Sequence, residues 1–253
     1  MINYYKKQFA SRISSINPFF SKDSFALTYH SINDKNHELT SKLYQLPVNH
    51  FKEQVNYLSK NNFISGNISN IADKKKHYVL TFDDGYEELY QICIELLNLQ
   101  NIHCIIFLCP IFVKNEKQGY LTSSQIIELS KYKNIEFGSH SYSHKNLQKL
   151  NSKDLQFEIL DSKKWLEDNL CLSIKTFAYP FGKYDSRALN ILKSSNYKHA
   201  FNTKFGFINN KNNDFEIPRI DIWNNDTILD FDLKIKGKFN WLNFFYNLKN
   251  LKK

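Results

Sequence analysis

Residues 78–85 of this 253-residue chain read YVLTFDDG, a short apolar run that ends in two carboxylates and a glycine. The run has the length and the β-branched and aromatic content of a buried strand, and the Asp-Asp-Gly predicts a turn at its carboxyl end. Neighbouring extended residues point to opposite sides, but a turn at Gly85 can aim both Asp83 and Asp84 at one pocket. Taken alone, a turn with both carboxylates in water is the simpler interpretation.

Similar short apolar runs alternate with longer amphipathic patterns along the chain, which is typical of repeated β-α units. Thr122 and Gln125 have capping-box spacing at one predicted helix start, and Asp185 is placed to cap another. The pattern predicts an α/β fold with a parallel barrel, formed as one domain over residues 1–253 with its core at about 24–223. The predicted strands are residues 25–29, 78–82, 104–108, 135–138, 174–178, 199–202 and 216–220.

Polar residues follow several of these strands. His30 follows the first, the two aspartates follow the second, His140 follows the fourth, and Arg219 lies near the end of the last. In a parallel barrel the carboxyl ends of all strands open on the same face, where active sites are found. We therefore expect these residues to converge although they are far apart in sequence.

A second motif, HSYSH at residues 140–144, predicts a metal site. Histidines four residues apart share one face of a helical turn and can hold one ion. With Asp84 they form an Asp-His-His set that leaves a coordination position open for water, and Asp83 remains as a base. Nitrogen and oxygen donors favour Zn²⁺, with Co²⁺, Ni²⁺ and Mn²⁺ as alternatives.

These two motifs, TFDDG at 81–85 and HSYSH at 140–144, resemble the hallmarks of the polysaccharide deacetylase family, the NodB-homology or carbohydrate esterase 4 group. The resemblance covers about residues 25–223 and implies a distorted (β/α)7 barrel of the TIM type. It also implies that Asp83 is the general base and that Asp84, His140 and His144 bind the metal.

The third motif of that family departs from its pattern and reads AYPFG at residues 178–182. The resemblance implies that the Phe181 N–H helps to bind the oxyanion, but Ala178 stands where the family has an arginine. We expect Arg219 to replace that arginine by pairing with Asp83 and keeping it ionised. The alternative is a surface arginine paired with Asp221.

The final histidine of the family is also missing, because no histidine follows His199. Circularly permuted relatives that resemble poly-N-acetylglucosamine deacetylases carry the acid histidine near the start of the domain. His30 is therefore predicted to be the general acid, with a buried structural histidine as the alternative.

Together these features predict a metal-dependent hydrolase that removes acetyl groups from an N-acetylated sugar in a polysaccharide or lipid-linked glycan. Two alternatives stay open: a non-catalytic, metal-containing sugar-binding module, and a deacetylase of an O-acetyl ester. The formal net charge of +9 is spread along the chain, and no zinc-finger, RNA-binding or basic-region pattern is found. No nucleic-acid partner is therefore expected.

The first residues contain no continuous apolar stretch of the signal-peptide kind, which predicts a cytoplasmic protein. The cysteines at 93, 104, 109 and 171 form no C-x-x-C pair and are expected to be buried, reduced thiols. Residues 235–253 interleave aromatic and basic side chains. We expect this tail to pack over the barrel, with peripheral contact to the inner face of the membrane as the alternative.

Overall fold

The structure of the protein is a computed structural model that describes residues 23–35, 37–70, 76–98, 100–209 and 212–239. The predictions for the first residues and for most of the basic, aromatic tail lie outside this part of the chain.

A curved sheet of parallel strands forms the centre of the fold. In chain order the strands are β1 (Phe25–Tyr29), β2 (Ser31–Ile32), β3 (Gln45–Leu46), β4 (Ile64–Ser65), β5 (His77–Phe82), β6 (Cys104–Leu108), β7 (Ile135–Ser139), β8 (Thr176–Ala178), β9 (His199–Phe201) and β10 (Ile220–Asp221). The main sheet has the order β10-β1-β5-β6-β7-β8-β9, and β4 pairs with the first residues of β5. Strands β2 and β3 pair separately.

The two edges of the sheet are joined by residues 217–221. Ile217 forms a parallel bridge to Phe201 of β9, and Ile220 pairs with Leu27 of β1. The predicted last strand, 216–220, is thus divided between two neighbours and regular pairing begins only at Ile220. The result is a distorted parallel barrel, which confirms the predicted fold class.

Side chains alternate between two cores because successive strand residues point to opposite faces of the sheet. Ala26, Val79 and Phe107 belong to a small inner cluster, whereas Leu27 belongs to the large cluster that includes residues of the helices. Each fully buried leucine, isoleucine or phenylalanine contributes about 1.5–3 kcal/mol. The inner space is narrow: a Cβ at Gly138 would lie 2.5 Å from the Phe107 ring.

Helices follow most strands and supply the outer layer. They are α1 (Val48–Lys60), α2 (Leu89–Ile92), α3 (Pro110–Lys114), α4 (Ser123–Leu129), α5 (Ser152–Gln156), α6 (Ser162–Leu170), α7 (Ser186–Ser194) and α8 (Ile228–Ile235). Helix α2 continues as a π-helical turn over Cys93–Asn98, and a second π-helical turn over Phe157–Asp161 joins α5 to α6.

Local sequence signals predict two of the helix starts correctly. Thr122 and Gln125 form the predicted capping box before α4, and the Asp185 carboxylate accepts the N–H groups of Arg187 and Ala188 at the start of α7. Buried packing continues beyond residue 223, since Phe231 of α8 is fully buried and packs edge-on against Tyr57.

The cysteine prediction is correct for three of the four residues. Cys93, Cys104 and Cys109 are buried free thiols, but Cys171 is exposed because it ends α6 in a left-handed conformation. Within the described ranges, none of the helices combines the length and the apolar character that a membrane span requires.

Candidate active site

The two adjacent aspartates are separated by a sharp turn at the end of β5. Asp83 continues the strand and donates its N–H to the Tyr29 carbonyl at 3.0 Å. Asp84 and Gly85 both have left-handed backbones, with φ of 72° and 70°. A Cβ at Gly85 would lie 2.6 Å from the Leu108 side chain, and the positive φ would strain any other residue, so the turn favours glycine. The turn lets both carboxylates face the same site, as the sequence predicted.

Arg219 pairs with Asp83 inside the barrel. Its Nη1 and Nη2 atoms donate to the two oxygens of Asp83 at 2.7 and 2.8 Å, and Nη1 also donates to the Thr81 hydroxyl. Its Nε donates to the Asn202 carbonyl at 3.1 Å. Arg219 is 1% exposed, so the alternative of a surface arginine is wrong. The contact that we predicted is present, whereas its catalytic role stays a prediction.

The guanidinium also determines the charge state of Asp83. Burial favours the neutral acid, but Arg219, followed by His140 and His30, outweighs that effect and holds the pKa of Asp83 below its ordinary value. Asp83 is therefore ionised at neutral pH although only 3% of it is exposed.

The HSYSH segment does not form the helical turn that we predicted. Residues 140–144 are an irregular loop after β7, in which Ser141 and His144 have positive φ values of 63° and 56°. The Ser141 hydroxyl accepts the His144 N–H at 3.0 Å. Left-handed residues, rather than helical spacing, bring His140 and His144 to one side, and backbone of this kind is common at functional sites.

Asp84, His140 and His144 place one ligand atom each within 4.8 Å of one another. His144 Nε2 lies 3.4 Å and His140 Nε2 lies 3.9 Å from the same oxygen of Asp84. Burial and the neighbouring His140 lower the pKa of His144 to about 4. The imidazole of His144 is therefore neutral at neutral pH, which metal binding requires.

Partners outside this triad fix the orientation of two of its members. His140 Nδ1 lies 2.8 Å from the Ala178 carbonyl, which makes Nδ1 the protonated nitrogen and leaves the Nε2 lone pair directed at the triad. The Tyr86 hydroxyl donates to Asp84 Oδ2 at 3.1 Å, while Oδ1 faces the histidines. The donor set thus fits a divalent metal ion.

Phe181 lies beside this triad at the end of β8. It is left-handed, with φ of 58°, and its ring lies 4.6 Å from the His144 ring. More than half of its side chain is exposed. The predicted oxyanion contact of its N–H stays a prediction.

His30 lies close enough to Asp83, His144 and Asp221 to act electrostatically on each of them. Its ring stacks on Tyr44 at 4.3 Å. Its Nδ1 atom is buried and finds no hydrogen-bond partner among the described residues. The structure therefore brings His30 into the same site, while its role as the acid stays a prediction.

Sequence reasoning assigned no role to two residues of this site. Asp221 was expected at the same face as a strand-end residue and as an alternative partner of Arg219, and its Oδ1 atom is buried and lacks a hydrogen-bond partner within the described ranges. Burial raises the pKa of Asp221 despite the nearby positive charges of His30 and Arg219. Tyr44 reaches the site from a short helical turn before β3, and burial, Asp221 and Asp83 together raise its pKa to about 12. The sequence signal for Asp221 was its position directly after the predicted strand 216–220.

Comparison with known proteins identifies the class. A sequence model described as polysaccharide deacetylase matches residues 70–200, more than half of the chain. The chain therefore belongs to the polysaccharide deacetylase family and is an enzyme of that class.

Individual relatives are more distant. The chain is 25% identical over 233 residues to the poly-β-1,6-N-acetyl-D-glucosamine N-deacetylase of Staphylococcus aureus strain MRSA252, which covers 87% of this chain and 77% of that protein. It is 26% identical over 188 residues to YxkH of Bacillus subtilis strain 168, covering 71% of this chain. The match spans 64% of YxkH, slightly less than two thirds of its length.

Solved structures share the fold. The Streptococcus pyogenes deacetylase PplD in complex with acetate superposes with a TM-score of 0.76 at 22% identity, covering 84% of this chain and 98% of that one. IcaB from Ammonifex degensii gives a TM-score of 0.72 at 18% identity, with 87% and 98% covered. At these identities the likeness supports the barrel architecture alone.

Proposed function

We propose that this protein is a metal-dependent N-deacetylase that hydrolyses the acetamide group of an N-acetylated sugar in a glycan and releases acetate. The observation that carries the proposal is that the two adjacent carboxylates have different partners. Asp84 faces two histidines whose ligand atoms lie within 4.8 Å, while both oxygens of Asp83 are held by Arg219. The similarity to a poly-N-acetylglucosamine deacetylase supports an N-acetylglucosamine glycan as the substrate.

Zn²⁺ is the ion that we propose for the triad of Asp84, His140 and His144. Two imidazole nitrogens and one carboxylate oxygen are typical zinc ligands, and a set of three leaves a position for water or substrate. When bound, the ion would supply Lewis-acid activation of water and of the acetamide carbonyl. Co²⁺, Ni²⁺ and Mn²⁺ accept the same donors and remain alternatives.

We assign the proton transfers and the binding of the oxyanion to different residues of the chain. Asp83, ionised and oriented by Arg219, accepts the proton of the attacking water. The Phe181 N–H donates to the oxyanion that develops on the carbonyl oxygen. His30 in its protonated form donates to the leaving nitrogen, since an amine is a poor leaving group until it is protonated. The products are acetate and a free amino sugar.

Acetate release by the zinc- and cobalt-loaded protein tests this function. The substrates are β-1,6-linked N-acetylglucosamine oligomers, chitin oligomers, a lipid-linked N-acetylated sugar and an O-acetylated xylan. We expect release from an N-acetylated substrate, loss of activity after chelation, and a fall of about 10²–10⁴-fold in Asp83→Asn with metal content unchanged.

Other results would point to other functions. Release from the xylan alone would contradict an N-deacetylase. A protein that holds stoichiometric metal but releases no acetate would instead be a sugar-binding module. An Asp83→Asn variant with full activity would remove Asp83 from the mechanism.

A further inference from the structure

A widened helical turn faces the loop that carries both histidines. The π-helical turn Phe157–Asp161 interrupts the helix between α5 and α6, and turns of this kind occur frequently at functional sites. Two of its carbonyl oxygens accept hydrogen bonds from outside the helix. The Glu158 carbonyl accepts the Tyr142 N–H at 2.9 Å, and the Ile159 carbonyl accepts the Tyr197 hydroxyl at 3.1 Å.

The Glu158 side chain reaches the same loop and is 1% exposed. Its Oε2 accepts the Ser143 N–H at 2.8 Å, and its Oε1 accepts the Ser143 hydroxyl. Among the described residues the cation that pairs with it is Lys145, whose Nζ lies 3.8 Å from Oε1 on a side chain that is 60% exposed. A buried carboxylate is costly unless it is paired or hydrogen-bonded, so these loop donors are the main compensation for its charge.

The histidine loop depends on such contacts because no regular secondary structure holds it. Ser141 and His144 are both left-handed, a conformation that costs energy unless the surroundings impose it. Cys109 supplies one further contact, as its thiol donates to the His140 carbonyl at 3.1 Å. Glu158 holds the middle of the loop, directly before His144.

We propose that Glu158 is a positioning residue for the metal site, acting through Ser143 on the place and orientation of His144. Its buried negative charge also favours a cation bound in the neighbouring loop. The inference rests on the proposed function in one respect, which is that the Asp-His-His triad binds a divalent metal. The inference goes beyond that function because it assigns a role to a side chain that touches neither metal nor substrate.

Zinc affinity, measured by competition with a chromophoric chelator, tests this role in four proteins. They are the wild type, Glu158→Gln, Ser143→Ala and the control Asp168→Asn. Glu158→Gln keeps the shape and removes the charge, and we expect its zinc affinity to fall about 10–100-fold. Ser143→Ala loses one of the two loop hydrogen bonds and should show a smaller loss. Asp168 lies on the same stretch of helix, pairs with Lys164 and is exposed, so its variant should bind zinc like the wild type.

The visible spectrum of the cobalt-loaded proteins adds a readout that general destabilisation would not change. We expect an altered band shape or intensity in Glu158→Gln, because the position of His144 changes the ligand field. Wild-type affinity and an unchanged cobalt spectrum in Glu158→Gln would overturn the inference. If Glu158→Gln does not fold, Ser143→Ala tests the inference instead. A wild-type zinc affinity and cobalt spectrum in Ser143→Ala would then overturn the inference. A wild type that binds no metal would refute the metal dependence itself, which distinguishes the two failures.

Discussion

The two sides of the active site around Asp83 differ in how completely their polar atoms are satisfied. On the base side, both oxygens of Asp83 and three nitrogens of Arg219 make hydrogen bonds. On the acid side, His30 Nδ1 and Asp221 Oδ1 are buried and find no partner in the described part of the chain. The aromatic ring of Tyr44 packs on His30 there without satisfying either atom.

This difference matches the chemistry that we propose for each side. A general base that must be ionised before the reaction benefits from a fixed counter-ion, which Arg219 provides. A general acid must change its protonation state during turnover, and a fully satisfied network would lock it in one form. Unpaired buried polar atoms cost stability, and the catalytic role that we propose for the acid side gives a reason for keeping two of them there.

Removing the counter-ion should have the largest effect. Arg219→Met leaves Asp83 buried without its partner, and breaking a buried pair costs about 3–5 kcal/mol in the free energy of unfolding. We also expect a large fall in kcat, because the pKa of Asp83 rises and the base is no longer oriented. Urea unfolding and acetate release measure the two effects.

The matched control for that variant is Arg187→Met. Arg187 pairs with Asp185, but its side chain is 41% exposed, so the expected cost is only about 0–1 kcal/mol. Equal destabilisation in the two variants would show that burial of the Asp83 pair has no special importance.

The acid side should respond in kcat without losing the fold. His30→Gln should lower deacetylation about 10²–10³-fold, since the proton donor for the amine is lost. An aryl acetate ester has a leaving group that departs without protonation, so its hydrolysis should be nearly unchanged. If the variant loses amide and ester hydrolysis equally, His30 is not the general acid.

On the acid side, Asp221→Asn should lower the activity without lowering the stability of the protein. Because burial raises the pKa of Asp221, its charge destabilises the folded state at neutral pH. We expect the Asn variant to be as stable as the wild type or up to about 1 kcal/mol more stable at pH 7. This advantage should disappear as the pH falls below about 4, where Asp is neutral in the folded and unfolded states. Acetate release should nevertheless fall at least about tenfold, because the Asp221 carboxylate interacts electrostatically with His30, the proposed proton donor.

A destabilised Asp221→Asn variant with full activity would contradict a functional role for Asp221. Asp221 would then be a structural residue of the closing strand, and the acid side would contain His30 alone.

The smallest effect should come from Tyr44. Tyr44→Leu removes the ring that packs on His30, and an aromatic pair worth about 0.5–1.5 kcal/mol corresponds to a loss of about two- to tenfold in kcat. Tyr44→Phe keeps the ring and should behave like the wild type. A loss in Tyr44→Phe as large as in Tyr44→Leu would show that the hydroxyl, rather than the stacking, contributes.

The base side was far easier to predict than the acid side. Asp83 and Asp84 lie in a compact motif, and the absence of the usual arginine at Ala178 directed attention to Arg219. On the acid side His30 was predicted from the family resemblance. Tyr44 and Asp221 gave no comparable signal, because Tyr44 lies in a short helical turn outside every motif and Asp221 directly follows the predicted strand 216–220. Glu158 was also missed, since its helical pattern gave no indication of a π-helical turn.

The sequence by itself predicted most strands of the main sheet, two helix caps and the three residues of the candidate metal site, because these depend on local periodicity and on short motifs. Tertiary structure decided how those residues meet. Residues 217–221 bridge β9 and β1 and thereby bring Arg219 onto Asp83, and left-handed residues rather than a helical turn unite His140 with His144. Both arrangements depend on packing between elements distant in sequence, which overrides local backbone preference and is not encoded in any single stretch of the chain.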